Sequence, residues 1–235
     1  MTPAAAIGIM CKAPHSGRTK TRLAKTIGEA AAAELSACFL HDVAAAIEAI
    51  PVNVGRRGYG VYAPAGTEPE LRAMFPPGFG LLLQASDDFG DVLFGASREL
   101  LAAGHDCVLL VNGDSPTLPP DFLTNAIAAL RRPGDRVVLG PAIDGGYYLI
   151  GLKQAHQHLF TGITWGTETV ARSTRDRAAE IGLPVVELPE WYDIDDAETF
   201  GWLKDELAGY SARFHNGGRA TATREYLARL KETAR

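Results

Sequence analysis

The chain has 235 residues, 46% of them hydrophobic and 22% charged, which allows one sizeable core with the composition of an ordinary globular protein. A formal net charge of -5 argues against a general nucleic-acid binder, whose surface is basic. Three scattered cysteines, no apolar run of membrane-spanning length and no signal-peptide pattern imply a reduced, cytoplasmic protein whose partners are neither nucleic acid nor membrane.

Residues 5–11 (AAIGIMC) are a short apolar run ending at a Gly/Pro/Ser loop, and they predict a buried strand. Residues 20–49 are Ala-rich with helical spacing and predict a helix broken near Gly28. YGVYA (59–63) and LLLQA (81–85) predict strands, with a short helix EPELRAMF between them stopped by Pro76-Pro77. A helix is expected over 90–103 and a strand over 107–114. PPDFLTNAIAAL opens with proline, as a first helical turn allows. RVVLGPAIDGG and YYLIGL predict strand, glycine turn and strand. A helix over 168–181, a strand over 184–189 and an acidic-start helix from DIDDAETF follow. The tail from Gly209 holds a Gly-Gly break and a final helix. Short apolar strands alternating with helices imply a mostly parallel sheet covered on both faces, which binds ligands beyond the carboxyl ends of its strands.

Three post-strand loops carry the candidate chemistry. KAPHSGRTKTRLA (12–24) places Lys12, Arg18, Lys20 and Arg22, with Lys25 just beyond, around a helix start with no acid among them. A helix N-terminus is itself partly positive, so these cations need an anion. Gly17 supplies a turn, and the segment fits a phosphate cradle although the glycine spacing is not that of a Walker A loop. A solvated basic face is the competing reading. In VNGDSPTLP, Asp114 follows four apolar residues and lies too far from the next helix to cap it. A carboxylate beside phosphates needs a divalent cation, so Asp114 is the leading Mg²⁺ ligand. In WYDIDDAETF, Asp195 is either a second metal carboxylate or a helix cap, because Glu198 follows it at capping-box spacing. Asp144-Gly145-Gly146 is both a hairpin signal and a candidate backbone floor for a second substrate.

Other residues rank lower. His156 and His158 are two apart, a poor spacing for a metal pair on a helix. His15 reads as a solvated loop residue. Trp165 either stacks on a ligand or plugs the core. Ser115 and Ser173 have no histidine pattern that would suggest a Ser-His-Asp hydrolase.

KAPHSGRTKTRLA, LLVNGDSPTLP, VVLGPAIDGGYYLIGL, FTGITWGTETV and YDIDDAETF occur in the order seen in the radical-SAM/selenodomain-associated transferase family, which the chain resembles over about residues 5 to 205. That family belongs to the nucleotide-diphospho-sugar transferase superfamily. The chain is also distantly similar to 2-phospho-lactate guanylyltransferases and molybdenum-cofactor nucleotidylyltransferases. The resemblance implies a GT-A fold, a three-layer α/β/α domain with a mostly parallel mixed sheet. It also implies phosphate contacts from Lys20 and Arg22, and metal ligation by Asp114 and Asp195. The late motif departs from the family's Thr-Pro-Glu-Asp, reading Asp196-Ala197-Glu198-Thr199. SDDFGDVLF also lacks the arginine of the family's related stretch.

The resulting expectation is a Mg²⁺-dependent (or Mn²⁺-dependent) transferase over residues 1–208 with a helical tail, 209–235, packed on it. Its favoured reaction is nucleotidyl transfer from an NTP to a small acceptor with pyrophosphate release. Glycosyl transfer from a nucleotide sugar and non-catalytic nucleotide binding are the alternatives. Lys20, Arg22 and Asp114 are the expected catalytic residues. Lys12, Gly17, Arg18, Lys20 and Arg22 are expected to bind the phosphates. Asp144, Gly145, Gly146 and Trp165 are expected to bind the acceptor.

Overall fold

The computed structural model describes residues 4–233. Its strands are β1 (Ala5–Lys12), β2 (Arg56–Ala63), β3 (Gly80–Leu83), β4 (Val108–Asn112), β5 (Val137–Pro141), β6 (Tyr147–Leu152) and β7 (Val185–Glu187). Its α-helices are α1 (Thr21–Ile27), α2 (Glu29–Glu48), α3 (Glu68–Met74), α4 (Phe89–Ala102), α5 (Pro120–Leu130), α6 (Val170–Glu180), α7 (Ala197–Ala208) and α8 (Thr221–Thr233). The strands form one sheet in the order β3-β2-β1-β4-β6-β5-β7, in which only β6 runs antiparallel to its neighbours.

Alternation along β4 shows why these apolar runs become strands buried on both faces. Successive strand side chains point to opposite sides. Val108 and Leu110 join Leu93, Ala96 and Leu100 of α4 in one core. Leu109 and Val111 join Leu35 and Phe39 of α2 and Leu123 and Ile127 of α5 in the other. Because β1 and β4 pair in parallel, with Met10 opposite Asn112, their carboxyl ends open at the same edge. The loops after both strands therefore meet there.

The predicted break in the first helix is at Gly28, whose φ of 88° ends α1 just before α2 begins. α2 corrects one expectation. Its 20 residues, with a mean hydropathy of 1.4 over the most apolar window, are long and apolar enough to cross a membrane. That window is 61% buried inside the fold, and the helix packs on β1, β2, α5 and α8. Its many alanines raise the mean hydropathy of what is a core helix.

Two joints position the site. The chain turns from β5 to β6 through Ala142–Gly146, where the Gly146 carbonyl accepts from the Ala142 N–H and Asp144 Oδ1 accepts from the Gly146 N–H. Gly145 has φ 88°, and a Cβ there would lie 2.0 Å from the Glu168 carbonyl oxygen, so only glycine fits. The second joint is the N-terminus of α7. Asp196, not Asp195, is its cap: the Asp196 carboxylate accepts from the N–H groups of Glu198 and Thr199, and Thr199 completes the capping box. The capping alternative for Asp195 is thereby overturned, since the helix starts one residue later than the Glu198 spacing suggested.

In the tail, α8 docks on α2 through Asp42, which is 5% exposed and accepts from the backbone N–H groups of Ala222 and Thr223 at 2.9 Å each. Asp42 thus satisfies the first N–H groups of a helix remote in sequence.

Candidate active site

A cleft of about 670 Å³ opens at the carboxyl edge, walled by Met10, Cys11 and Lys12 at the end of β1, by Gln84, Ser86 and Asp87 after β3, and by Asn112 at the end of β4 with Gly113 and Asp114 after it. The basic loop forms its rim. In that loop the N–H groups of Arg18 and Thr19 both donate to the His15 carbonyl, and Thr19 Oγ1 accepts from the His15 N–H. Lys20, the residue before α1, sits at φ 48° and ψ 50°, a left-handed conformation unusual for a residue with a Cβ.

That conformation sends the Lys20 side chain inward, where it is only 8% exposed. Its Nζ lies 2.7 Å from Asp114 Oδ2 and 2.6 Å from Asp195 Oδ1. Arg22 Nη2 lies 2.5 Å from the second oxygen of Asp195. The cations at the helix start are therefore offset by carboxylates from two remote loops. Burial disfavours the Lys20 charge, but Asp114 and Asp195 outweigh it and raise the pKa. Burial likewise works against the Asp195 charge, yet Lys20 and Arg22 hold its carboxyl below the usual range.

Asp193 was not singled out in the sequence. Burial, reinforced by the charges of Asp195 and Asp144, pushes its carboxyl up to about 7. The detectable signal was Asp193-Ile194-Asp195, since residues two apart on extended chain share a side. Phe89 and Glu168 also escaped notice, because their placement depends on where α4 and the 161–169 loop meet.

Of the expected phosphate residues, Lys12, Arg18, Lys20 and Arg22 line the cleft. Gly17 does not; it turns the loop at φ 76° beside Glu29. Asp144, Gly146 and Trp165 line an adjoining cavity of about 380 Å³ that shares Arg22, Phe89 and Asp195 with the main cleft. Gly145 lies behind this wall, its carbonyl accepting from the Ala171 N–H.

No preformed cage of three His, Cys, Asp or Glu side chains exists among the described residues. The donor chemistry nevertheless fits a hard divalent cation. Asp195, Asp144 and Asp114 each act electrostatically on Asp193, while Lys20 pairs with Asp114 and Asp195, and Arg22 with Asp195. Asp114 and Asp195 already converge on one positive group, and Mg²⁺ binds through one or two carboxylates plus phosphate oxygens.

A three-layer α/β fold with a seven-stranded mixed sheet, carrying this cluster at its carboxyl edge, is of the GT-A-like type found in nucleotide-diphospho-sugar transferases and nucleotidyltransferases. Residues 56–167 match the family described as "Uncharacterized protein conserved in bacteria (DUF2064)", a span that includes Asp114, Asp144 and Trp165. The chain is similar to a solved structure from Desulfovibrio desulfuricans G20 whose assignment as a nucleotide-diphospho-sugar transferase is provisional. The two are 26% identical over 98% of each chain, with a TM-score of 0.82. A CMP:2-keto-3-deoxy-manno-octonic acid synthetase complexed with CTP is 12% identical, covering 88% of this chain and 100% of its own, with a TM-score of 0.57. Glucosyl-3-phosphoglycerate synthase from Mycobacterium tuberculosis, in complex with Mn²⁺, UDP and glucosyl-3-phosphoglycerate, is 11% identical. It covers 89% of this chain and 78% of its own, with a TM-score of 0.52. These last two likenesses concern the fold alone. No curated protein matches the chain in sequence.

Proposed function

We propose that the chain transfers a nucleotidyl group from a nucleoside triphosphate to a hydroxyl or phosphate oxygen of a small acceptor, releasing pyrophosphate. The observation that carries this reading is the convergence of Lys20, Asp114, Asp195 and Arg22 at the cleft mouth. Lys12, Arg18 and Arg22 rim the same cleft, giving the density of positive charge that a triphosphate needs. In the reaction the acceptor oxygen bonds to the α-phosphorus, a hydroxyl acceptor giving up its proton to solvent, the bond from that phosphorus to the bridging oxygen breaks, and pyrophosphate departs. Phosphoryl chemistry of this kind asks a protein for position and charge more than for a nucleophile. Arg22 and Lys20 would hold the phosphates. Mg²⁺ or Mn²⁺ held by Asp114 and Asp195 would supply neutralisation of the charge developing on the phosphate oxygens. Motif order supports kinship with the radical-SAM/selenodomain-associated transferases, and we read residues 1–208 as the transferase domain and 209–235 as its tail.

The likeness to the Desulfovibrio structure favours a second reading, glycosyl transfer from a nucleotide sugar. One assay separates the two. The chain is incubated with divalent metal, an acceptor mixture and either NTPs or nucleotide sugars, and the small products are read by mass spectrometry. Pyrophosphate supports nucleotidyl transfer, and a nucleoside diphosphate supports glycosyl transfer. Nucleotide binding with neither product, and with unchanged metal dependence in Asp114→Asn, would leave a binding protein.

A further inference from the structure

The cavity beside the nucleotide cleft differs from it in charge. Its acidic members are Asp144, Glu168 and Asp195, and its cation is Arg22, which Asp195 already engages at 2.5 Å. Asp144 and Glu168 make no ion pair among those of the described residues; the Asp144 carboxylate accepts only the Gly146 N–H of its own turn. The same cavity is also lined by aromatic rings. Phe89 is 40% exposed and meets Trp165 edge-on at 5.1 Å, and Trp165 meets Tyr147 in the same way at 6.4 Å. A large aromatic left this exposed, in one small cavity with two carboxylates that make no ion pair, is the combination that takes a ring with apolar C–H faces and a donor-rich edge.

We infer that this cavity selects an acceptor rich in hydroxyl groups, of the size of a hexose, that carries no anionic group. The carboxylates of Asp144 and Glu168 accept hydrogen bonds from its hydroxyls, and the Trp165–Phe89 pair packs on its ring. A phosphate ester of the same ring enters against both carboxylates. At separations of about 5–6 Å, inside the Debye length, that repulsion weakens binding at least about fivefold. The main cleft, with its basic rim, has no such bias, so the two halves of the site sort substrates by charge. The inference rests on the reading of the main cleft as the nucleotide site, because only then is this cavity the acceptor side of a transfer.

The test uses the full chain, labelled with ¹⁵N at its three tryptophans, and three probes sharing one ring: glucose, glucosamine and glucose 6-phosphate. Trp165→Phe assigns the Trp165 indole signal. Glucose and glucosamine should shift that signal, and glucose 6-phosphate should bind at least fivefold more weakly than glucose. In the double variant Asp144→Asn, Glu168→Gln the gap should close, chiefly through tighter binding of the phosphate ester. Asparagine keeps the oxygen that the Gly146 N–H needs, and near-unchanged circular dichroism would confirm the fold. Glucose 6-phosphate binding as tightly as glucose to the wild type would overturn the inference. So would the absence of any Trp165 shift with glucose and glucosamine. Thermal shift by NTPs and nucleotide sugars, measured on the same sample, tests the main cleft separately. No nucleotide effect alongside a glucose-induced Trp165 shift would sink the reading of the cleft and leave the cavity's selectivity standing.

Discussion

Lys20 carries two opposing contributions that substitution can separate. Its ammonium joins Asp114 and Asp195, while its backbone sits in the left-handed region at φ 48°. Fully exposed ion pairs are worth under about 1 kcal/mol, and breaking a buried one costs about 3–5 kcal/mol. Lys20 is 8% exposed, but Asp114 and Asp195 are 37% and 32% exposed, so solvent screens the carboxylates. Lys20→Ala should therefore destabilise the fold by about 2 kcal/mol, well short of the buried limit. Lys20→Gly loses the same pairs but relieves a left-handed strain of about 1 kcal/mol, so it should be the more stable variant by roughly that amount. Urea denaturation at pH 7.5 measures both. The loss should also depend on pH. A carboxyl held below its usual range, as Asp195 is, adds stability above its unfolded pKa and loses it as pH falls through the folded value. The gap between wild type and Lys20→Ala should therefore shrink below about pH 4. With the ammonium gone, Asp114 and Asp195 should also bind Mn²⁺ more tightly in the absence of nucleotide, read from the free-ion EPR signal. Equal stability of wild type, Ala and Gly variants at pH 7.5 would refute the whole argument.

Three further outcomes are expected. Asp196→Ala should cost about 1 kcal/mol through loss of the α7 cap and leave nucleotide affinity unchanged. Asp195→Asn should weaken nucleotide binding and, by removing the pairs to Lys20 and Arg22, also lower stability at neutral pH, a loss that fades below about pH 4 while the Asp196→Ala cost does not; equilibrium denaturation with nucleotide titration distinguishes the two. Asp193, raised to about 7, stays protonated in the fold where the unfolded chain has ionised, so wild-type stability should fall as pH rises from about 4 to 7. Asp193→Asn should flatten that slope and be the more stable protein at pH 8, and a wild-type stability curve that rises over this range would contradict it. Asp42→Ala should expose the α8 backbone near Ala222 and Thr223 to hydrogen exchange and cost about 1–3 kcal/mol, the penalty for unpaired buried donors. Protection at those amides equal to wild type would show that α8 docks without it.

The order of elements was legible because it depends on local pattern. The apolar runs at 5–11 and 107–114 are too short for helices and too continuous for one-sided strands, so they had to become buried parallel strands. Gly28 broke the first helix where its missing Cβ allows a φ of 88°. The sequence also supplied the identities of Lys20, Arg22, Asp114 and Asp195, because residues just after strands fall on one edge of such a sheet. What they would meet was another matter. Sequence pattern pointed to Asp195 as the α7 cap, one residue of register away from the Asp196 cap that forms. The register was set by Thr199 closing the box on Asp196. The partner of Lys20 was equally hidden, for its two carboxylates lie 94 and 175 positions further along the chain. The elevated Asp193 carboxyl, the trans cap from Asp42 to α8 and the aromatic wall of Phe89 and Trp165 each depend on burial or contact between segments remote in sequence. Local propensity and periodicity act over a few residues, whereas desolvation and charge pairing act only once the packed chain has brought distant groups together.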